Sequence, residues 1–238
     1  MKLMEVRMNK TKKIDVIIPT YHPDEKLERC LRMLKRQTIQ PQRILLIKTE
    51  EEFFHSKVFP TLKQGEIVHI TKPEFDHGGT RNQAARMCDG EIMILLTQDA
   101  IPADEYLIEN LLKPFEDEEV CAAYGRQMAD KKDNPIEAYT RIFNYSKESR
   151  IKSKKDLPEL GIKTFFCSNV CAAYRKSEYD ALGGFPLHTI FNEDMIFASH
   201  LIEEGKKIAY VADAKVWHWH NYTAKEQLKR NFDLAVSQ

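Results

Sequence analysis

Four short apolar runs, with stripes between them, organise the first hundred residues of this 238-residue chain. Residues 14–19, 43–48, 66–71 and 91–96 are each of strand length, rich in Ile, Val and Leu, and bounded by turn residues. After the first run, Pro23, Asp24 and Glu25 open a helix with acids in its first turn, as the helix dipole prefers. Leu27, Cys30, Leu31 and Leu34 then fall at i, i+3, i+4 and i+7, a single amphipathic stripe. Strand and helix patterns alternate, which predicts an α/β fold: right-handed βαβ crossovers and a mostly parallel central sheet flanked by helices.

Past Pro102 the pattern is less regular. Residues 106–115 carry another helical pattern and residues 121–124 a short strand. Residues 128–163 are heavily charged and contain Pro135, Pro158 and Gly161; a helix over 136–146 and then a mobile loop are expected. Order returns over 164–174, two apolar runs around Ser168 and Asn169, followed by a short helix over 177–182 closed by Gly183 and Gly184. Asn192 is expected to cap a helix beginning at Glu193 and Asp194, and residues 209–212 and 215–219 read as two strands. Thr223 and Glu226 have capping-box spacing, and Leu228, Phe232 and Ala235 stripe the last helix.

The stretch 75–102 concentrates the candidate chemistry. Asp76-His77-Gly78-Gly79 leads into a helix-compatible segment that Asp89-Gly90 stops, and the strand at 91–96 empties into Thr97-Gln98-Asp99. In an open parallel sheet the loops at the strands' carboxyl ends converge on the ligand crevice, so both turns are expected at one pocket. Thr80 and Gln83 have capping-box spacing, which starts the helix at Arg81. The paired glycines would let a ligand approach the backbone, and Arg81 would offer a pyrophosphate its planar fork; a plain capped helix with its arginine in water is the other reading. Asp99, a carboxylate just past a buried strand with no basic neighbour in sequence, is suited to a divalent cation or to an ordinary turn. Asp194 shares a helical face with Phe197, Ala198 and Leu201, which turns its carboxylate toward the protein body, whereas Glu193 serves the dipole. In a strand His218 and His220 point one way and Trp217 and Trp219 the other; two imidazoles on one face suit a metal or phosphate, or a structural role.

Composition narrows the classes. Charge is balanced, 36 basic against 36 acidic residues, so no global field points to nucleic acid. Five scattered cysteines in apolar surroundings read as reduced core thiols of a cytoplasmic protein, and zinc-finger spacing is absent. No apolar run approaches the ~20 residues needed to span a bilayer. The first thirteen residues are charged and lack the apolar core of a secretory signal.

Taken together, 75–82 (FDHGGTRN), 97–102 (TQDAIP), Asn192-Glu193-Asp194, 218–222 (HWHNY) and 135–145 (PIEAYTRIFNY) resemble the inverting, GT-A-fold glycosyltransferases of family 2. Within them the chain is most similar to bacterial rhamnosyltransferases that use dTDP-rhamnose, from Ile14 to the C-terminus. The resemblance implies one Rossmann-like domain over 1–238, with a nucleotide-sugar half at about 14–102 and an acceptor and catalytic half at about 103–238. It implies that Pro19, Thr20 and Tyr21 line the base and ribose pocket, with Gln98 also on the donor, and that His77 and Arg81 contact the diphosphate side. Asp99 would hold Mg²⁺ or Mn²⁺, His218 or His220 would complete the metal or diphosphate contacts, and Asp194 would be the general base. Two departures stand out: Thr97 replaces the first acid of the Asp-x-Asp motif, and Glu50 stands where many members place a base-reading Asp, so the resemblance implies that Glu50 takes its place on the donor.

The implied partners are a dTDP- or UDP-sugar donor and a saccharide or lipid-linked saccharide acceptor; the latter would bring the chain to the cytoplasmic face of the membrane. A divalent cation and an arginine would neutralise the leaving diphosphate while one carboxylate deprotonates the acceptor, a single inverting displacement. Two other readings are a sugar-phosphate nucleotidyltransferase, opposed by the glycine-free loop 19–23, and a non-catalytic nucleotide-sugar-binding module, opposed by Asp99 and Asp194.

Overall fold

A computed structural model describes residues 12–50, 56–129, 135–220 and 222–237. In chain order the elements are β1 (Ile14–Thr20), α1 (Glu25–Leu34), β2 (Arg43–Thr49), β3 (Gly65–Ile70), α2 (His77–Met87), β4 (Ile92–Leu96), β5 (Ile101–Pro102) and α3 (Leu107–Leu112). They continue with β6 (Val120–Met128), α4 (Pro135–Asn144), β7 (Arg150–Lys152), α5 (Leu157–Leu160), β8 (Cys171–Arg175), α6 (Lys176–Ala181), α7 (Glu193–Glu203), β9 (Lys207–Trp217) and α8 (Ala224–Ser237).

The strands form one sheet in the order β3-β2-β1-β4-β8-β6-β9-β5, with β7 paired to β9. The first four run parallel, as their buried β-branched runs and the helices between them require. The α/β class stands, but the second half is mixed: β8 enters antiparallel to both β4 and β6, while β6 and β9 are parallel. The two strands expected near the end are one strand, β9, with a register irregularity against β6 between Gly125 and Arg126.

Apolar side chains pack on both sides of the sheet. Leu27, Cys30, Leu31 and Leu34 bury the stripe of α1 on one side, and Phe197, Ala198 and Leu201 of α7 bury theirs on the other. Asp15, inside β1, is a buried structural acid: its carboxylate accepts the Asp89 and Gly90 N–H groups at 3.0 and 2.9 Å, fixing the turn that ends α2. All five cysteines are buried and free, as expected. The charged stretch after α4 is not a mobile loop. It folds into β7, α5 and 3-10 turns, clamped by Arg150 on Asp156 and Glu159. The α8 capping box forms, Thr223 with Glu226, but the expected apolar stripe faces outward, with Leu228 71% and Phe232 67% exposed. Residues 1–11, part of the charged stretch (130–134) and Asn221 of the HWHNY segment lie outside the described residues.

Candidate active site

A cleft of about 490 Å³ opens at the carboxyl ends of β1 and β4 and is walled by α4, α7 and α8. Pro19, Thr20, Tyr21, His77, Arg81, Gln98, Asp99, Asp194, His218 and His220 all line it. Glu50 does not. Its carboxylate accepts the Lys72 N–H instead, closing the turn after β3, and its backbone is left-handed at φ 63°.

The register of the last strands assembles the first chemical group. β5 pairs with the end of β9, Ile101 opposite Trp217, so the loop carrying Asp99 meets the residues just past β9. Asp99 Oδ2 lies 3.5 Å from His218 Nε2 and 3.4 Å from His220 Nδ1. One ligand atom from each of the three falls within 4.8 Å of the others. Burial alone would push the Asp99 carboxyl up; the two imidazoles and the Thr97 hydroxyl outweigh it and hold the acid below its usual range. Burial lowers both histidines as well, His220 to about 3, so near neutral pH they are uncharged and carry lone pairs. His218 Nδ1 is 2.8 Å from Gln127 Oε1. The same Nδ1 lies 3.2 Å from Arg141 Nη2, so it meets an acceptor and a donor at once, while Nε2 faces Asp99. Two ligands of one first-row ion, each about 2.0–2.2 Å from it, sit about 3 Å apart at right angles, close to the separations here. The donor set therefore fits a divalent cation.

The second group lies on α7. Asp194 Oδ2 accepts the Asn169 N–H at 2.8 Å and Oδ1 accepts the Met195 N–H at 2.8 Å. Burial and then the charge of Glu193 raise Asp194 to about 7, against partial lowering by those hydrogen bonds and by Arg81. Glu193 is more than a dipole acid. It is 5% exposed, accepts from Asn169 Nδ2 at 3.0 Å, and faces Arg81 Nη1 at 3.3 Å. Asn192 starts α7 from a left-handed backbone, φ 66°, without a side-chain cap; its amide donates to Leu234 O at 3.1 Å and so ties α7 to α8.

The glycine turn differs from its sequence reading. Asp76, not Thr80, caps α2, which begins at His77 rather than Arg81; Asp76 Oδ1 takes the Gly79 N–H and its carbonyl takes the Thr80 N–H. The local Thr/Gln spacing lost because an Asp four residues earlier offers a better side-chain acceptor. Gly78 makes room for protein, not ligand: a Cβ there would lie 1.9 Å from Pro186 O. Arg81 lines the cleft, yet one Nη1 serves both the His77 carbonyl, at 2.8 Å, and Glu193. Its Nε is buried without a hydrogen-bond partner among the described residues. Gln98 holds Tyr21 by both amide atoms, accepting from its N–H at 2.9 Å and donating to its carbonyl at 3.0 Å.

Several cleft residues had no role in the sequence reading. Arg141 Nη2 is 3.2 Å from His218 Nδ1, and Glu137, 5% exposed, accepts the His220 N–H at 3.2 Å. Lys26 of α1 donates to Trp219 O at 2.8 Å and lies over its ring at 4.9 Å, anchoring the histidine segment from the other side. Arg230 of α8 also lines the cleft, its guanidinium over Phe191 and Tyr222. The sequence pattern marked a helix at α4 and an apolar stripe on α8 but not which polar residues these helices bring to the cleft.

Residues 15–183 match the model of glycosyl transferase family 2. The chain is 45% identical over 225 residues to the O-antigen chain rhamnosyltransferase RfbN of Salmonella typhimurium, covering 94% of this chain and 72% of that protein. It is 42% identical over 223 residues to WbaN of Salmonella anatum, also an O-antigen chain rhamnosyltransferase, covering 93% and 70%. Among solved structures it resembles a mannosyltransferase of Pyrobaculum calidifontis in complex with GDP-mannose and Mn²⁺, with TM-score 0.67 and 15% identity over 96% of this chain and 62% of that one. It also resembles GalNAc-T7 with UDP, GalNAc and Mn²⁺, with TM-score 0.67 and 13% identity over 90% and 45%.

Proposed function

The chain belongs to glycosyl transferase family 2, and from that premise we propose that it moves rhamnose from dTDP-rhamnose to a saccharide of an O-antigen-type chain. The observation that carries this reading is one cleft holding a cation-type ligand group, Asp99 with His218 and His220, and a carboxylate raised to about 7, Asp194. Rhamnose and the acceptor class come from the two relatives' names.

Asp99, His218 and His220 would hold the ion. Two imidazoles favour Mn²⁺ over Mg²⁺, which prefers an oxygen shell. A cation bound there would neutralise charge developing on the departing diphosphate. Pro19, Thr20 and Tyr21 form the base and ribose side, with Gln98 holding Tyr21 in place, and His77 lies on the diphosphate side. Arg81, tied to Glu193, supports the base rather than the phosphate. Asp194 takes the acceptor hydroxyl's proton, and a base with a pKa near the working pH does so most efficiently. Its neighbour Glu193 is occupied by Arg81 and Asn169, which leaves Asp194 of that pair as the base for a single, inverting displacement. Residues 14–102 form the donor half and 103–238 the acceptor half. Among the described residues no helix is long and apolar enough to cross a membrane; a lipid-linked acceptor would bring the protein to the membrane face.

Calorimetric titration with dTDP and with UDP, each with and without Mn²⁺, tests the donor site. Mn²⁺ should tighten dTDP binding to the native protein and leave Asp99→Asn unaffected. Binding of dTDP that ignores Mn²⁺ in the native protein would refute the metal assignment, and a preference for UDP would refute the donor.

A further inference from the structure

A second cavity, of about 500 Å³, lies beside the cleft and shares Phe166 and Asn144 with it. Its walls come from β6, the end of α4, β7, the segment before β8, and β9. None of the proposed chemistry uses it. We propose that this cavity is the acceptor subsite, binding a neutral saccharide ring next to the unit that receives rhamnose; the assignment rests on the transferase reading above.

Three observations carry it. First, the walls are aromatic. Tyr124 packs against Phe166 and Tyr210 with ring centroids 5.5 and 5.2 Å away, and Phe143 also lines the space. Aromatic faces are electron-rich and suit the C–H faces of a pyranose, while polar groups beside them, here Asn144 and Ser149, suit its hydroxyl edges. Second, Tyr124 is 4% exposed, and its hydroxyl has no hydrogen-bond partner among the described residues. A hydroxyl on a cavity wall without a protein partner is open to a ligand or to water. Third, the cavity leads to the base. Phe166 is three residues from Asn169, whose N–H holds Asp194 at 2.8 Å. Three steps of 3.8 Å place the two Cα atoms at most about 11 Å apart, a span that neighbouring sugars of one chain bridge.

The charged groups near the cavity do not make it a site for a second anion. Lys152 donates to Lys163 O and Phe166 O and lies over the Tyr124 ring, and Arg150 is committed to Asp156 and Glu159. Lys163 lies over the Phe143 ring at 4.4 Å, and Glu148 adds a carboxylate to the lining, so the charges are offset or engaged within the protein, which favours a neutral ligand.

Saturation-transfer NMR with the methyl α-glycosides of galactose, mannose and glucose tests this on the intact protein, with dTDP titrated separately by calorimetry. Phe143 is 61% exposed, so Phe143→Ala removes a wall without threatening the fold; Tyr124→Phe removes only a hydroxyl. At least one glycoside should saturate the native protein in the presence of excess dTDP. Each variant should bind it about three- to tenfold more weakly, with dTDP affinity unchanged. Failure of all three glycosides to bind, or equal binding by native protein and both variants, overturns the subsite. Glycoside binding by a protein that does not bind dTDP would support the subsite and sink the donor reading instead.

Discussion

At Asp194, the catalytic proposal depends on charges that sit beside the carboxylate. Glu193 raises it and Arg81 lowers it, so removing each should move the acid limb of the pH–rate profile in opposite directions. Activity needs the deprotonated carboxylate and therefore rises as pH passes through about 7. Glu193→Gln should shift that rise to lower pH and Arg81→Ala to higher pH; shifts of the same sign would show that neither charge reaches the base. Arg81→Ala also strands a buried carboxylate. Arg81 and Glu193 side chains are only 8% and 7% exposed, so the loss should be about 3–5 kcal/mol by denaturant unfolding. The double variant Arg81→Met with Glu193→Leu should recover much of that loss. The inward turn of Asp194 was legible because helical spacing fixes faces. The Arg81–Glu193 pair was not, because it joins α2 to α7 across a contact no local pattern reports.

The elements near the site show where periodicity informs and where it stops. Stripes and β-branched runs located β1 to β4 and α1 within a residue or two, since burial on a regular element leaves a regular trace. The glycines opening α2 left no such trace of their purpose. Gly78 is packed against the Pro186 carbonyl, so Gly78→Ala must displace the 185–188 segment. Overpacking of this kind costs about 1–3 kcal/mol, measurable as a lowered unfolding midpoint. A neutral Gly78→Ala would mean that segment yields freely. On α8 the apolar residues face outward, so sequence alone overstated their burial. Phe232→Ser should change stability by less than about 0.5 kcal/mol; a larger loss would show that this face is covered in solution.

For the whole molecule, a topology hidden from local sequence brings the chemistry together. An apolar run reads the same in a parallel and an antiparallel buried strand, which is why the reversal at β8 was not visible. That reversal is what lets the second half of the chain return to the carboxyl ends of β1 and β4. The pairing of β5 with β9 then sets His218 and His220 against Asp99, and α7 presents Asp194 within the same cleft. Sequence identified these four residues; only the folded sheet shows that they face one space. The central claim is that this space performs base-assisted sugar transfer with Asp194 as the base. It is tested most directly by following transfer of labelled rhamnose from dTDP-rhamnose into lipid-linked saccharide of a bacterial membrane extract. The native protein and Asp194→Asn are compared at several pH values either side of neutrality, with dTDP affinity measured alongside. The native rate should rise through about pH 7, and Asp194→Asn should lose about 10²–10⁴-fold in transfer while binding dTDP unchanged. Transfer by Asp194→Asn at the native rate would contradict the account.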